Sequence, residues 1–234
     1  MGGDTRTGSI PVTSIKNYKG TFLGAVFIFT MYKSHNKNLI SNLILASASP
    51  RRKELLSKAG FSFDVYIPKG EELNIIGKDF NEDLLKLCVK KKAENAYNEL
   101  AATSSDLYNK VNPSNLTIIT CDTVVVNDNK IIGKPKDEKD AINILQSLSN
   151  KKHFVSSAVC VYKDGKYNLG LEKTFVTFRD ITLKEIEEYI KNNKPFDKAG
   201  SYGIQDEGFD FVKEIDGNID NVIGLPLNTL KTLL

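Results

Sequence analysis

Hydrophobic and polar positions change their spacing several times along this chain, which indicates that strands and helices are interspersed. Short apolar runs and alternating segments are typical of strands, and apolar positions three and four residues apart are typical of helices. The strand-like segments are 43–46, 61–67, 116–126, 130–132, 153–162 and 167–179. The helix-like segments are 51–59, 81–103, 137–148 and 182–190, with a short helix after Pro226. This order predicts an α/β or α+β protein with a mixed sheet.

Local signals at the ends of these segments support the assignments. Thr182 is followed by Glu185 at the spacing of a capping box. Asp164-Gly165 is a turn sequence that joins the last two long strands into a hairpin. Two regions give weaker signals. Residues 104–114 are predicted to form a polar loop, and the tail from Gly200 is glycine-rich and then hydrophobic.

The composition limits the classes of function. With 234 residues, 41% of them hydrophobic, the chain can bury a core as one large domain or as two lobes. The 32 basic and 29 acidic residues give a net charge of +3, which does not favour a nucleic-acid partner. Three widely spaced cysteines and two histidines make a disulfide framework, a zinc site and a histidine-based triad poor candidates. A reducing compartment, the cytoplasm, is the simplest interpretation.

The first 41 residues form an N-terminal extension in the sequence pattern. Their apolar run at 20–32 is too short to span a bilayer comfortably, and no small-residue cleavage site follows it. Three interpretations stay open: a disordered or artefactual extension, an organelle-targeting segment, and a structural element. We therefore expect no stable membrane insertion, and we place the folded domain at residues 42–234.

The first candidate site is Ser47-Ala48-Ser49-Pro50-Arg51-Arg52, where a strand runs into a helix. Ser49 is a suitable N-cap, and Pro50 suits the first helical position. The free N–H groups and the dipole of a helix N-terminus favour an anion, and an arginine fork matches two phosphate oxygens at once. The segment therefore indicates a phosphate site that uses Ser49, Arg51 and Arg52. The alternative is an ordinary capped helix with two surface arginines.

The second candidate is Asp122, an aspartate within an otherwise apolar strand. Burying a carboxylate is costly unless it is paired or binds a metal. The following strand returns to Gly133-Lys134-Pro135, so we expect Lys134 to lie near Asp122. Such a pair can hold Mg²⁺ or activate water while the lysine neutralises a phosphate. The alternative is a strand-end aspartate that stabilises a turn. We expect the neighbouring Cys121 to be a buried core residue, because no histidine lies near it in the sequence.

The third candidate is the loop at 197–206, which contains two glycines together with Lys198 and Gln205. A glutamine amide pairs with both a carbonyl and an imino N–H, so this loop is suited to binding a base, although glycine-rich loops often only turn. Glu71-Glu72 is either a second metal carboxylate or a solvated pair. Lys90-Lys91-Lys92 is typical of a solvated helix face.

Taken together and in this order, the segments resemble the Maf family of nucleotide pyrophosphatases, also called septum-formation inhibitor proteins. The resemblance covers nearly everything from Leu43 to the C-terminus, and the N-terminal extension lies outside it. The matching stretches are 45–52 (LASASPRR), 54–56 (ELL), 92–93 (KA), 122–125 (DTVV), 133–135 (GKP), 176–179 (VTFR), 197–205 (DKAGSYGIQ) and 221–227 (NVIGLPL).

The resemblance implies an elongated, two-lobed α/β fold with a central mixed sheet and a cleft, similar to the inosine triphosphate pyrophosphatases. It implies a catalytic domain over residues 42–234 that depends on Mg²⁺ or Mn²⁺ and often forms a homodimer. It also implies that Asp122 is the proton acceptor and that Glu72 and Asp122 hold the metal. The substrate-binding residues that it implies are Ser49, Arg51, Arg52, Lys92, Thr123, Lys134, Lys198 and Gln205.

Within the family, the combination of Arg51, Thr123 and Gln205 resembles the subgroup that acts on dTTP and UTP. The sequence therefore predicts a nucleotide diphosphatase that releases pyrophosphate from these nucleotides. Lys69-Gly70-Glu71-Glu72 departs from the family, which usually has an acidic pair preceded by another aspartate, so either glutamate is a candidate metal ligand. Two alternatives stay open: a nucleotide-binding regulator of cell division with little catalysis, and an enzyme that removes modified pyrimidine nucleotides.

Overall fold

The computed structural model describes residues 42–102 and 116–234, so the predicted N-terminal extension and the predicted loop at 104–114 lie outside the described residues. The strands are β1 Leu43–Ala46, β2 Asp64–Tyr66, β3 Thr117–Asn127, β4 Lys130–Ile132, β5 Lys152–Lys163, β6 Lys166–Phe178 and β7 Val212–Asp216. The α-helices are α1 Pro50–Lys58, α2 Glu82–Ala102, α3 Glu138–Leu148, α4 Leu183–Asn193, α5 Ile219–Ile223 and α6 Leu227–Leu233, and two short 3₁₀ helices span Pro195–Asp197 and Ala199–Ser201. No helix within these two stretches has the length and apolar composition to cross a membrane.

The described strands form one seven-stranded mixed sheet with the order β2-β1-β3-β5-β6-β7, and β4 pairs with β3. β1 is parallel to both of its neighbours, because a helix follows each of the first two strands and returns the chain to the same end of the sheet. The remaining pairs are antiparallel. At the β5–β6 hairpin, Asp164 and Gly165 both adopt positive φ, as a two-residue turn of this kind requires. The predicted α/β fold with a central mixed sheet is thus confirmed.

Different helices cover the two faces of the sheet. Side chains alternate along β3, so Val125 packs in one core while Val124 and Val126 pack in the other. The first core also contains buried residues of α1 and of α3 to α6, whereas the second contains buried residues of α2. Because both faces of the sheet are covered, nearly all residues of β3 and β5 are at least partly buried. The two strands therefore show little alternation of polar and apolar positions.

One prediction from the hydrophobic pattern was wrong in its length, and two elements were not predicted. The strand predicted at 61–67 is only the three-residue β2, because this edge strand pairs with β1 alone and over three residues. The tail after Gly200 contains β7 and α5, which the pattern did not indicate. β7 exposes the consecutive residues Lys213 and Glu214, so it lacks the alternation that identifies a strand. Its pairing with β6, which includes a register shift at Thr177/Phe178, makes it a strand.

Candidate active site

The sheet topology places the first two candidate segments side by side. β1 and β3 are parallel neighbours, with Leu45 opposite Ile119. The loop that leaves β1 therefore lies beside Asp122 and Thr123, which follow a few residues later on β3. Ligands of open α/β sheets bind at the carboxyl ends of the parallel strands. The register of two strands thus brings motifs together that are about 70 residues apart in the sequence.

A cleft of about 960 Å³ opens at this end of β1. All ten residues predicted to bind substrate or metal line it: Ser49, Arg51, Arg52, Glu72, Lys92, Asp122, Thr123, Lys134, Lys198 and Gln205. Glu71 is exposed and is not among the described residues that line the cleft. The geometry therefore favours Glu72 over Glu71, a choice that the sequence left open.

Three charged side chains meet on one face of β3. Lys92 on α2 lies with its Nζ 3.1 Å from Glu72 Oε1 and 3.3 Å from Asp122 Oδ2. The side chain of Lys92 is 16% exposed and that of Asp122 is 26% exposed, whereas that of Glu72 is 70% exposed. The ammonium group offsets the repulsion between two carboxylates that are held close together. Lys92 thus lies in the cleft and not on the solvated face that the lysine run suggested.

The N-terminus of α1 forms another part of the cleft wall. Ser49 is the N-cap, and its Oγ accepts a hydrogen bond from the Arg52 N–H at 3.4 Å. Ser47 Oγ accepts a hydrogen bond from the Ser49 N–H at 3.2 Å, which fixes the turn between β1 and the helix. Arg51 on the first helical turn pairs with Asp197, with Nη1 and Oδ2 2.8 Å apart. The predicted cap is confirmed, and the cap directs both arginines into the cleft.

Arg52 is held by three hydrogen bonds that use all three of its nitrogen atoms. Nε donates to Gly224 O at 2.9 Å, Nη1 donates to Ser47 Oγ at 3.2 Å, and Nη2 donates to Thr123 Oγ1 at 3.2 Å. All three acceptors are uncharged, so they orient the guanidinium without cancelling its positive charge. A guanidinium carries five N–H groups, so this arrangement leaves part of the fork for a bound anion.

The Thr123 hydroxyl, on the face of β3 opposite to Asp122, contacts two further groups. Its Oγ1 lies 2.9 Å from Ser157 Oγ and donates to Gly224 O at 3.2 Å. Ser157 on β5 is fully buried and donates to Asn221 O at 3.3 Å. The hydroxyl of Thr123 is therefore part of a network that connects the end of α5 to the guanidinium of Arg52. No spacing in the sequence relates Ser157 to this site, because strand pairing alone places it opposite Thr123.

Gly224 is the shared acceptor of this network. Its carbonyl accepts hydrogen bonds from Arg52 and Thr123, and it also lies 3.3 Å from Cys121 Sγ. The φ of Gly224 is +127°, a region that side chains disfavour, so glycine permits the turn that aims this carbonyl. Cys121 is buried, as predicted, and burial raises the pKa of its thiol. A protonated buried thiol is a poor nucleophile, so Cys121 is a core residue.

The third candidate segment borders the cleft next to α1. Lys198 Nζ lies 3.0 Å from Asp197 Oδ1 and 3.6 Å from Asp206 Oδ2. Burial of Asp197 opposes ionisation, but hydrogen bonds from Arg51 and Lys198 outweigh it and lower the pKa of this carboxyl. Gln205 is exposed and lines the cleft. Asp197 and Asp206 lie at the two ends of this loop; both contact Lys198, and Asp197 also pairs with Arg51.

The carboxylates suit a metal ion that binds together with phosphate. Within residues 42–102 and 116–234, no group of three or more His, Cys, Asp and Glu side chains is placed to hold a metal by itself. Mg²⁺ is commonly bound by one or two carboxylates together with substrate phosphates and water. Glu72 and Asp122 share the Lys92 ammonium as a common partner and line the same cleft, so they provide such a pair.

The fold and the cleft together define an α/β protein with a cleft, lined by arginine, lysine and carboxylate side chains, at the carboxyl end of parallel strands. The family model described as Maf-like protein matches residues 42–234. The chain therefore belongs to the Maf family, and the resemblance seen in its motifs is confirmed.

Several curated relatives in bacteria carry the name dTTP/UTP pyrophosphatase. The one from Clostridium beijerinckii is 45% identical over 195 residues, which cover 82% of this chain and 97% of the relative. The one from Bacillus pumilus is 42% identical over 188 residues, covering 80% of this chain and 92% of the relative. The one from Aquifex aeolicus is 42% identical over 192 residues, covering 82% and 93%.

Proposed function

We propose that this chain hydrolyses dTTP and UTP to the nucleoside monophosphate and pyrophosphate. The observation that carries the proposal is the meeting of Asp122, Lys92 and Glu72 in the same cleft as two arginines at a helix N-terminus. This arrangement combines a candidate base with groups that bind a polyphosphate. The names of the curated relatives support the same substrates.

The triphosphate is held by positively charged side chains from separate elements. Arg51 and Arg52 come from α1, Lys92 comes from α2, and Lys134 and Lys198 come from the loops after β4 and α4. The N–H groups at the start of α1 add partial positive charge. Arg51 pairs with Asp197, so a phosphate competes with this carboxylate for the guanidinium. Binding thus replaces one ion pair by another.

Asp122 is the proton acceptor in this scheme. Water attacks the α-phosphorus, its proton passes to the Asp122 carboxylate, and the bond from the α-phosphorus to the bridging oxygen breaks as pyrophosphate leaves. Lys92 holds the Asp122 carboxylate at 3.3 Å and fixes its position for this role. Glu72 and Asp122 would hold a divalent cation, Mg²⁺ or Mn²⁺, which would neutralise the phosphate charge.

The pyrimidine is recognised by Gln205. Thymine and uracil share a carbonyl beside an imino N–H, and a glutamine amide can pair with both. The Thr123 hydroxyl is already engaged by Arg52, Gly224 and Ser157, so we assign it an indirect role through the position of Arg52. A panel that includes 5-methyl-UTP and pseudo-UTP determines whether canonical or modified pyrimidine nucleotides are preferred.

The test is product analysis with dTTP and UTP in ¹⁸O-labelled water. We expect pyrophosphate as the released product and the label in the monophosphate, because water attacks the α-phosphorus. Release of orthophosphate, or label in pyrophosphate, would rule the scheme out. Binding of nucleotide without release of either product would favour the regulatory alternative.

A further inference from the structure

Glu72 lies on a segment that has no regular structure of its own. Residues 67–76 lie between β2 and α2 and form neither a helix nor a strand. The side chain of Glu72 is 70% exposed, so packing around the carboxylate does not determine its place. A site that depends on this residue therefore needs other groups to fix the backbone around it.

Glu99 on α2 holds the backbone of Lys69 and Gly70, the two residues directly before the glutamate pair. Its Oε1 accepts hydrogen bonds from the Lys69 N–H at 3.0 Å and the Gly70 N–H at 2.8 Å. Its Oε2 accepts from the Lys69 N–H at 2.9 Å and from the Tyr66 hydroxyl at 2.8 Å. Charge-assisted hydrogen bonds of this kind are stronger than neutral ones. Both oxygens of the half-buried Glu99 carboxylate are thus used to order one turn.

The same face of α2 carries two further contacts to this segment. Lys92, Asn95 and Glu99 are separated by three and four residues, so they lie in a row along the helix. Lys92 contacts the Glu72 carboxylate, and Asn95 Nδ2 donates to Glu71 O at 3.5 Å. A Cβ atom on Gly70 would come within 2.3 Å of Asn95 Nδ2, so glycine permits the close approach. One helix face thus binds the segment at three successive points.

The other end of the segment is fixed to β4. Gly77 N donates to Ile131 O at 2.9 Å, and Ile131 N donates to Lys78 O at 3.0 Å. Glu72 lies between this attachment and the one at Glu99. The position of its carboxylate beside Lys92 and Asp122 therefore depends on both attachments.

We propose that Glu99 is a positioning residue for Glu72: by holding the Lys69–Gly70 turn on α2, it keeps the Glu72 carboxylate where a divalent cation is bound together with Asp122. The proposal rests on the proposed function for the role of Glu72. Glu99 itself lies on α2 about two helical turns beyond Lys92, and it acts on Glu72 through the turn that it binds.

The test compares Glu99→Gln with Glu94→Gln. Glutamine replaces one acceptor oxygen by an NH₂ group, so it loses hydrogen bonds to the turn. Glu94 lies on the same helix and pairs only loosely with Lys90 at 3.8 Å, so its variant is the matched control. The readout is Mn²⁺ affinity, measured by electron paramagnetic resonance on the full chain saturated with α,β-imido-dTTP, which is not hydrolysed. We expect Glu99→Gln to weaken Mn²⁺ binding about tenfold, as loss of a ligand's supporting hydrogen bonds typically does, and Glu94→Gln to leave it unchanged.

A double-mutant cycle separates positioning from general destabilisation. In a Glu72→Gln background, Glu99→Gln should cause no further loss of Mn²⁺ affinity, because the carboxylate that it positions is gone. Unchanged affinity in Glu99→Gln, or an equal further loss in the Glu72→Gln background, overturns the proposal. If Glu99→Gln does not fold, Tyr66→Phe removes one of the four hydrogen bonds, and the same cycle applies with a smaller expected loss. Failure of the wild-type chain to release pyrophosphate would refute the proposed function separately, because Mn²⁺ affinity is measured without turnover.

Discussion

Asp122 and Thr123 are adjacent on β3, yet they face two different environments. On the Asp122 side, a lysine from α2 lies between two carboxylates, and every group carries a charge. On the Thr123 side, a guanidinium is surrounded by hydroxyl and carbonyl groups that are neutral. The alternation of side chains along a strand separates the two environments, although the residues are consecutive.

The difference between the two sides indicates a division of tasks. Around Lys92, one ammonium group faces two carboxylates, so one negative charge is left over, which suits groups that hold a metal ion and accept a proton. Arg52 is oriented by neutral acceptors, so its charge stays available to a phosphate. One side of the strand therefore carries the proposed chemistry, and the other positions a binding group. Three predictions test this comparison, and they run from the largest expected effect on turnover to the smallest.

The charged side is tested most directly by Asp122→Asn. The variant keeps the shape of the side chain and removes its ability to accept a proton, so kcat should fall by about 10²- to 10⁴-fold. The affinity for α,β-imido-dTTP should change little, because the arginines remain. Steady-state kinetics and calorimetric titration measure the two quantities. A variant with normal turnover would refute the assignment of Asp122 as the base.

The neutral side is tested by Thr123→Val, which removes the hydroxyl and keeps the branched shape. Loss of a hydrogen bond to a charged group costs about 1.5–3 kcal/mol, so kcat/KM should fall by about tenfold or more. The factor should be the same for dTTP, UTP and CTP if, as we propose, Arg52 binds phosphate and not the base. Thr123→Ser should retain activity. In an Arg52→Lys background, Thr123→Val should cause little further loss of kcat/KM. A changed preference among the three nucleotides would show instead that this hydroxyl reads the base.

The smallest effect on turnover is expected from His153, which lies on the same face of the sheet as Thr123. Burial lowers its pKa to about 4, so the imidazole is neutral in the folded protein at pH 7. Its Nε2 lies 2.9 Å from the hydroxyl of Tyr202, a residue that lines the cleft. In the unfolded chain, His153 binds a proton below about pH 6.5. The free energy of unfolding is therefore unaffected by this residue above that pH, and it falls by up to about 3 kcal/mol as the pH drops toward 4.

Urea unfolding between pH 7 and pH 4 measures this loss. A His153→Gln variant lacks the titrating group, so the difference in the free energy of unfolding between the wild type and the variant should shrink as the pH falls. Parallel curves for the two proteins would contradict the assignment of a buried neutral histidine.

Much of the site was predictable because its motifs have local physical causes. Ser49 caps α1 in the structure as its residue type and position indicate, and Pro50 occupies the first turn. Asp122 attracts notice because a carboxylate in an apolar strand needs a partner. The resemblance then related these segments to Lys92 and Lys134, and all of them line one cleft. The family match confirms the resemblance over residues 42–234.

Other parts of the site could not be predicted from spacing or composition. Ser157 looks like any buried serine of a long strand, and only its place opposite Thr123 on β3 gives it a role. Glu99 looks like a solvated helix residue, because the turn that it binds lies about 30 residues earlier in the sequence. β7 was missed because its exposed positions are consecutive, and its partner β6 lies more than 30 residues away.

The sequence by itself determined most of the local elements, the caps, the apolar segments of the sheet and the residue types suited to binding phosphate and accepting a proton. These follow from interactions between residues a few positions apart and from the cost of burying charge. Only the tertiary structure decided that Asp122 and Thr123 face opposite sides, that Glu72 and not Glu71 reaches Lys92, and that neutral groups hold Arg52. Those outcomes depend on strand register and helix placement, which are set by the packing of both faces of the sheet.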